Sequence, residues 1–245
     1  MKIIGIIPAR MASTRFPGKP LAEINGMPMI GHVYKRSKNS QILDEVYVAT
    51  CDQEIYEYIE SINGKAIMTA ESHERASDRS AEALDIIEKQ NDNKIDIVVM
   101  IQGDEPMIHP EMIDLSVQPL LTENNIDAVN LMAKINSDNE WNDPNEIKVV
   151  VDKNSNALYF SREPIPSNKK YDGKITAFKQ VCIIPFTRLG LKKYLSLPET
   201  DLEIIESIDM NRILENGGIV RMVLTAHETF AVDTPEDLEK VKKLL

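Results

Sequence analysis

The chain has 245 residues, 42% hydrophobic and 27% charged, an ordinary globular composition with enough length for a sizeable core in one large domain with a subsidiary lobe. A net charge of −11 argues against a nucleic-acid partner, and no apolar run approaches membrane-spanning length, so neither nucleic acid nor membrane is expected as a partner. Cys51 and Cys182 lie far apart and outside any zinc-ligand spacing, which reads as two buried free thiols in a reducing compartment.

In chain order, the first apolar run, residues 3–7, is too short for a signal-peptide core, so a cytoplasmic location is expected. It is β-branched and ends at Pro8, which suits a central buried strand of a parallel sheet. A long loop follows to about Pro20. Further strand-like runs at 46–50, 66–68 and 95–101 alternate with helical spacing such as Ile55, Tyr58, Ile59 and Ile62, or Ala83, Leu84 and Ile87. Strands alternating with helices predict an α/β fold with a doubly wound, mostly parallel sheet. From 127 to 186 the pattern changes to strand-like runs at 128–133, 147–151, 157–160 and 180–186 with no long helix between them, which predicts a smaller antiparallel lobe. A helix over about 202–216 closed by Gly217-Gly218, a strand at 219–224 and a last helix from Thr234 complete the chain. The expected organisation is one domain over 1–245, with a core formed by 1–126 and 219–245 and a lobe over about 127–218.

In such sheets ligands bind at the carboxyl ends of the strands, so the loops after them are the places to search. Charge points to the first. Seven of the 28 Lys/Arg but only one of the 39 acids, Glu23, fall within residues 1–40. The stretch Pro8-Ala9-Arg10-Met11-Ala12-Ser13-Thr14-Arg15-Phe16-Pro17-Gly18-Lys19-Pro20 places three cations, two hydroxyls and a glycine after a buried strand, a composition able to wrap a polyphosphate. Neither a Walker A nor a dinucleotide spacing is present. Gln102-Gly103-Asp104-Glu105-Pro106 ends the run at 95–101 and offers a carboxylate suited to a hard cation such as Mg²⁺. Asp233, in Val232-Asp233-Thr234-Pro235-Glu236-Asp237-Leu238, reads on its own as the N-cap of the last helix, and Ser77 reads as the cap of a helix opening at Ser77-Asp78-Arg79.

The first of these stretches is similar to the signature of sugar-activating nucleotidyltransferases, and its Pro-Ala-Arg-x-Ala-Ser-Thr-Arg-x-Pro-Gly-Lys-Pro-Leu form resembles the CMP-Kdo synthetase family, the 3-deoxy-manno-octulosonate (Kdo) cytidylyltransferases of lipopolysaccharide biosynthesis. The Gln-Gly-Asp-Glu-Pro and Val-Asp-Thr-Pro-Glu-Asp-Leu segments share that resemblance. So do residues 144–150, 157–166 and 214–217, so it covers nearly the whole chain.

The resemblance implies transfer of CMP from CTP to a 2-keto-3-deoxy sugar acid. Pro8, Ala9, Arg10, Ser13, Arg15 and Lys19 would hold the nucleotide with Gln102 and Arg79, and Mg²⁺ would sit on Asp104 and Asp233. Arg10, Lys19, Asp104 and Asp233 would be catalytic. Arg162, Gln180, Asp209 and Met210 would bind the sugar, with Arg162 pairing with its carboxylate, and two copies would pair through residues 147–186. The chain departs from the family where the sugar is read. Lys179-Gln180-Val181-Cys182-Ile183-Ile184 stands for Arg-His-Ile-Gly-Ile-Tyr, and Asp209-Met210-Asn211-Arg212 for Glu-Gln-Leu-Arg. Kdo is the expected acceptor, with a modified Kdo or a nonulosonic acid as the alternative. Sugar-1-phosphate nucleotidyltransfer is opposed by the absence of a glycine-rich opening loop, and a non-catalytic nucleotide-binding role by the two aspartates.

Overall fold

A computed structural model describes residues 1–12, 16–91, 93–173 and 175–245. The run after Lys2 forms β1 (Ile3–Ala9), whose residues are almost all buried. A 3₁₀ turn over Lys19–Leu21 and the short pair β2 (Glu23–Ile24) and β3 (Met27–Pro28) lead into α1 (Met29–Ser37). Then β4 (Glu45–Thr50), α2 (Gln53–Ser61), β5 (Ala66–Met68), α3 (Ala76–Asn91), β6 (Ile97–Ile101) and α4 (Pro110–Thr122) alternate, as the hydrophobic periodicity predicts. The remainder runs β7 (Ala128–Lys134), α5 (Asp138–Asn142), β8 (Lys148–Val151), β9 (Ala157–Ser161), β10 (Phe178–Val181), β11 (Ile183–Thr187), α6 (Arg188–Ser196), α7 (Asp201–Glu206), α8 (Met210–Glu215), β12 (Val220–Leu224) and α9 (Pro235–Leu244).

The first sheet has the order β11-β6-β1-β4-β5, with β6, β1, β4 and β5 parallel and β11 antiparallel at the edge. From β1 the chain steps to one side through β4 and β5 and returns on the other at β6. The carboxyl ends of β1 and β6 therefore flank the topological switch point. One face packs against α3 and α6 through Leu84, Ile87, Leu191 and Tyr194. The other packs against α1, α2 and α4 through Ile30, Val33, Ile55, Ile59, Met112 and Val117. The second sheet, β12-β7-β10-β8-β9, is antiparallel except for β12 beside β7. A third cluster, Ile24, Met29, Val232, Leu238 and Val241, fastens α9 to β2.

Three elements differ from the periodicity reading. The run at 180–186 is two strands in two sheets, divided at Cys182, whose carbonyl accepts the Gln102 amide at 3.1 Å. An unbroken apolar run carries no mark of which sheet it pairs with, so the break is invisible to periodicity. β11 thus completes the first sheet, while β12 joins the second. The helix over 202–216 is α7 and α8, split where Ser207 adopts a left-handed conformation at φ 55°. Serine rarely occupies that region, and its sequence carries no breaker signal. Finally, α3 opens at Ala76, and the Ser77 hydroxyl donates to Asp209 at 2.8 Å rather than capping the helix.

The split between α7 and α8 is held by a buried ion pair. Arg212 Nε and Nη2 donate to the two Glu203 oxygens at 2.6 and 2.7 Å, with side chains 5% and 0% exposed. Removing Arg212 leaves the buried Glu203 carboxylate with Arg75 alone, at 3.3 Å, whereas removing both partners leaves no buried acid short of its donors. Arg212→Met is expected to destabilise the fold by about 3–5 kcal/mol, and Arg212→Met with Glu203→Leu to recover much of that loss, read from urea unfolding midpoints.

Candidate functional site

Three loops converge at the switch point. After β1, the Met11 amide donates to Asp52 Oδ2 at 2.8 Å, and the Gly18 amide donates to the Met11 carbonyl at 3.1 Å. Gly18, at φ 75°, makes the left-handed turn that aims Lys19 back over the sheet. After β6, Gln102-Gly103-Asp104 crosses the sheet edge with a methyl group's worth of space or less: a Cβ on Gly103 would lie 3.1 Å from Ile30 Cδ1. Ahead of α9, the Val232 amide donates to the Asp104 carbonyl at 2.8 Å and joins the last loop to the second.

The result gathers Lys19, Asp104 and Asp233, far apart in sequence, around one ammonium. Lys19 Nζ lies 3.1 Å from Asp104 Oδ2, 3.5 Å from Asp233 Oδ1 and 2.9 Å from the Val232 carbonyl. Asp233 does not cap α9. Thr234 does, accepting the Asp237 amide at 3.2 Å, while Asp237 accepts in return from the Thr234 amide at 3.1 Å. Threonine completes a capping box with Asp237 three residues on, so the Asp233 carboxylate is directed at Lys19 instead.

Lys19 and Asp104 border a cleft of about 370 Å³ that is also lined by Pro8, Ala9, Arg10, Gln102, Arg75 and Arg79. A second cavity of about 690 Å³ shares Arg10, Arg75 and Gln102 with it and continues over Gln180, Cys182, Ile184 and Asp209. Among the described residues Arg10 makes no ion pair, so its guanidinium is available to an anion. Ser13 and Arg15 lie outside the described residues. Arg79 borders the cleft but spends its guanidinium on the loop ahead of α3, donating to Thr69 Oγ1 at 2.6 Å and to the His73 carbonyl at 3.0 Å.

The residues expected to bind the sugar divide. Gln180 and Asp209 line the second cavity. Arg162 and Met210 do not. Arg162 donates to the Glu206, Pro144 and Ser207 carbonyls, so its guanidinium ties a loop together rather than facing the cavity. Met210, fully buried, packs its apolar side chain into the core.

Arg75 and His73, from the segment that leads into Arg79, also shape the site. Arg75 stands between the two cavities and pairs with Asp209 at 2.9 Å, Glu199 at 3.1 Å and Glu203 at 3.3 Å. His73 meets Glu82 at 2.6 Å. These contacts cross loops of irregular geometry, and no periodic spacing signals them. Burial raises the Cys182 thiol well above its ordinary value, helped by the carboxylates of Asp104, Glu105, Asp209 and Asp233. Glu105, turned inward beside Asp104, is pushed up to about 8 by burial and then by Asp104, with Lys179 opposing.

The native state therefore holds a proton on Glu105 that the unfolded chain releases near pH 4.5. That contribution to stability is complete below pH 4.5 and is lost as pH rises towards 8. Glu105→Gln keeps the neutral shape. The stability difference between variant and parent is expected to move in the variant's favour by about 1–3 kcal/mol between pH 5 and pH 9, measured by urea unfolding at each pH.

The chain is similar to known proteins over its whole length. A family model described as Cytidylyltransferase matches residues 4–230. Proteins named 3-deoxy-manno-octulosonate cytidylyltransferase from Thermodesulfovibrio yellowstonii and Geobacter metallireducens are 44% and 42% identical, each matched over 100% of this chain and 98% of its own length. The structure of a CMP:2-keto-3-deoxy-manno-octonic acid synthetase complexed with CTP superimposes with a TM-score of 0.88 at 38% identity, covering 100% of this chain and 98% of that one. A 4-diphosphocytidyl-2C-methyl-D-erythritol synthase from Anaerococcus prevotii, at 15% identity and a TM-score of 0.62 over 99% and 98% of the two chains, shares the fold alone.

Proposed function

The chain belongs to the 3-deoxy-manno-octulosonate cytidylyltransferase family, and from that membership we propose that it forms CMP-Kdo and pyrophosphate from CTP and Kdo. The observation that carries the reading is the cluster of Lys19, Asp104 and Asp233 at the mouth of a cleft that opens into a second cavity. A donor and an acceptor thus have adjoining places.

In the reaction the anomeric hydroxyl oxygen of the sugar bonds to the α-phosphorus of CTP as the bond to pyrophosphate breaks. Such transfers depend on alignment and charge neutralisation more than on covalent help from the protein. Arg10 and Lys19 supply cations for the phosphates, and the backbone at Pro8 and Ala9 borders them. Arg79 acts at one remove, holding the loop that carries His73 and Arg75. Gln180 and Asp209, with Ile184 between apolar neighbours, face the acceptor.

Asp104 and Asp233 are the residues that would hold Mg²⁺. The donor set fits: two partly exposed carboxylates, already drawn around a cation, suit a hard ion that completes its shell with phosphate oxygens and water. When bound, the ion supplies charge neutralisation at the phosphates and a lowered pKa for the attacking hydroxyl. The exposed side chains of Leu158 and Tyr171 support pairing of two copies through residues 147–186. No helix among the described residues is long and apolar enough to cross a membrane. A cytoplasmic setting is supported by the donor, since CTP is a cytoplasmic nucleotide.

Pyrophosphate release from CTP is the test, run with Kdo and with other 2-keto-3-deoxy acids because Gln180 and Ile184 face the acceptor. Release is expected to require Kdo, and Asp104→Asn to lower turnover by about 1,000-fold or more. Arg10→Ala is expected to raise KM for CTP by about tenfold, as loss of one charged contact does. Full turnover by Asp104→Asn, or a better substrate than Kdo in the panel, would sink the assignment.

A further inference from the structure

We propose that Lys19 is a placeholder cation for the metal site, and that its transfer from the two carboxylates to the nucleotide's phosphates makes divalent-cation binding depend on CTP binding. This rests on Asp104 and Asp233 being the metal-holding pair.

An ammonium has three N–H donors; here two reach Asp104 Oδ2 at 3.1 Å and the Val232 carbonyl at 2.9 Å, and the charge also pairs with Asp233 Oδ1 at 3.5 Å. Among the described residues, the same side chain is the only lysine lining the nucleotide cleft. A divalent ion on those carboxylate oxygens and an ammonium at 3.1–3.5 Å from them compete for the same acceptors and repel each other. The two cations are therefore alternatives at the carboxylates, and the polyanionic triphosphate is the partner that gives the ammonium somewhere better to go.

The surroundings are built for that exchange. Gly18 and the 3₁₀ turn fix the lysine's backbone, leaving a flexible four-carbon stem to swing. The aspartates keep their places without it. Asp104 is tied through its carbonyl to the Val232 amide, Val232 is fully buried against Leu238 and Val241, and Asp233 precedes the capping box of α9. With side-chain exposures of 15, 22 and 20%, the three charges are shielded enough to interact strongly yet open to an incoming ion. Coupling of this kind is reciprocal: CTP raises metal affinity by the factor by which metal raises CTP affinity.

The experiment is Mn²⁺ titration of the full chain, followed by electron paramagnetic resonance, with and without CTP and with no sugar present. The Mn²⁺ bound by CTP in solution is subtracted. In the parent, CTP is expected to tighten Mn²⁺ binding by about tenfold or more, within the roughly 5–150-fold span of coupled sites. Without CTP, Lys19→Met is expected to bind Mn²⁺ about tenfold more tightly than the parent and to lose most of the dependence on CTP, whereas Lys19→Arg, which keeps the cation, retains it. Circular dichroism melting confirms that each variant is folded. Equal CTP-free affinities in the parent and Lys19→Met overturn the placeholder role while leaving the metal pair standing. Mn²⁺ binding that Asp104→Asn leaves untouched overturns the metal pair itself, and the proposal with it.

Discussion

One ammonium between two carboxylates organises this molecule. Lys19 belongs to the first loop, Asp104 to the turn after β6, and Asp233 to the approach to the last helix, so a single charge closes two long stretches of chain. Closing such loops is entropically costly, and the interaction exists only because the parallel sheet has already brought β1 and β6 side by side. The apolar cluster under α9 then delivers Val232 and its neighbour to the same place. Packing sets the geometry. Charge gives the geometry a use.

The acceptor side is organised differently. Where the first cleft takes its order from the sheet, the second cavity is walled by Arg75 with Glu199 and Asp209 and floored by the seam between the sheets. Asp209 links both: its two oxygens take Arg75 and Ser77, so the start of α3 and the start of α8 move as one unit. Glu203 sits behind, shared between Arg75 and Arg212. The two cavities thus meet along a short border that includes Arg10, Arg75 and Gln102.

The alternation of strand and helix over residues 3–122 was readable because buried parallel strands and amphipathic helices leave distinct periodicities, and the cationic loop at 8–20 and the acid at 104 follow strand ends, where such sheets bind ligands. What stayed hidden depends on tertiary pairing. Nothing local tells Arg162 to spend its guanidinium on three carbonyls, and nothing in the helical pattern at 202–216 forecasts the left-handed Ser207. Thr234 outcompetes Asp233 for the cap because Asp237 lies three residues beyond it, a distinction visible in sequence but decided by which side chain has another partner.

The break at Cys182 has a consequence for how the chain is made. β6, all five residues of which are buried, keeps one edge open until residues 183–187 arrive to cover it, and the whole of β7 to β10 is synthesised in between. During that interval the growing polypeptide presents an apolar strand with unpaired backbone groups, the feature most prone to mispair with another chain. The excursion into the second sheet must therefore fold, or at least compact, before the nucleotide half can be sealed. A protein whose proposed catalytic centre draws on residues 19, 104 and 233 is in this sense completed from its middle, and the same strand that floors the second cavity also ends the nascent chain's period of greatest vulnerability to aggregation.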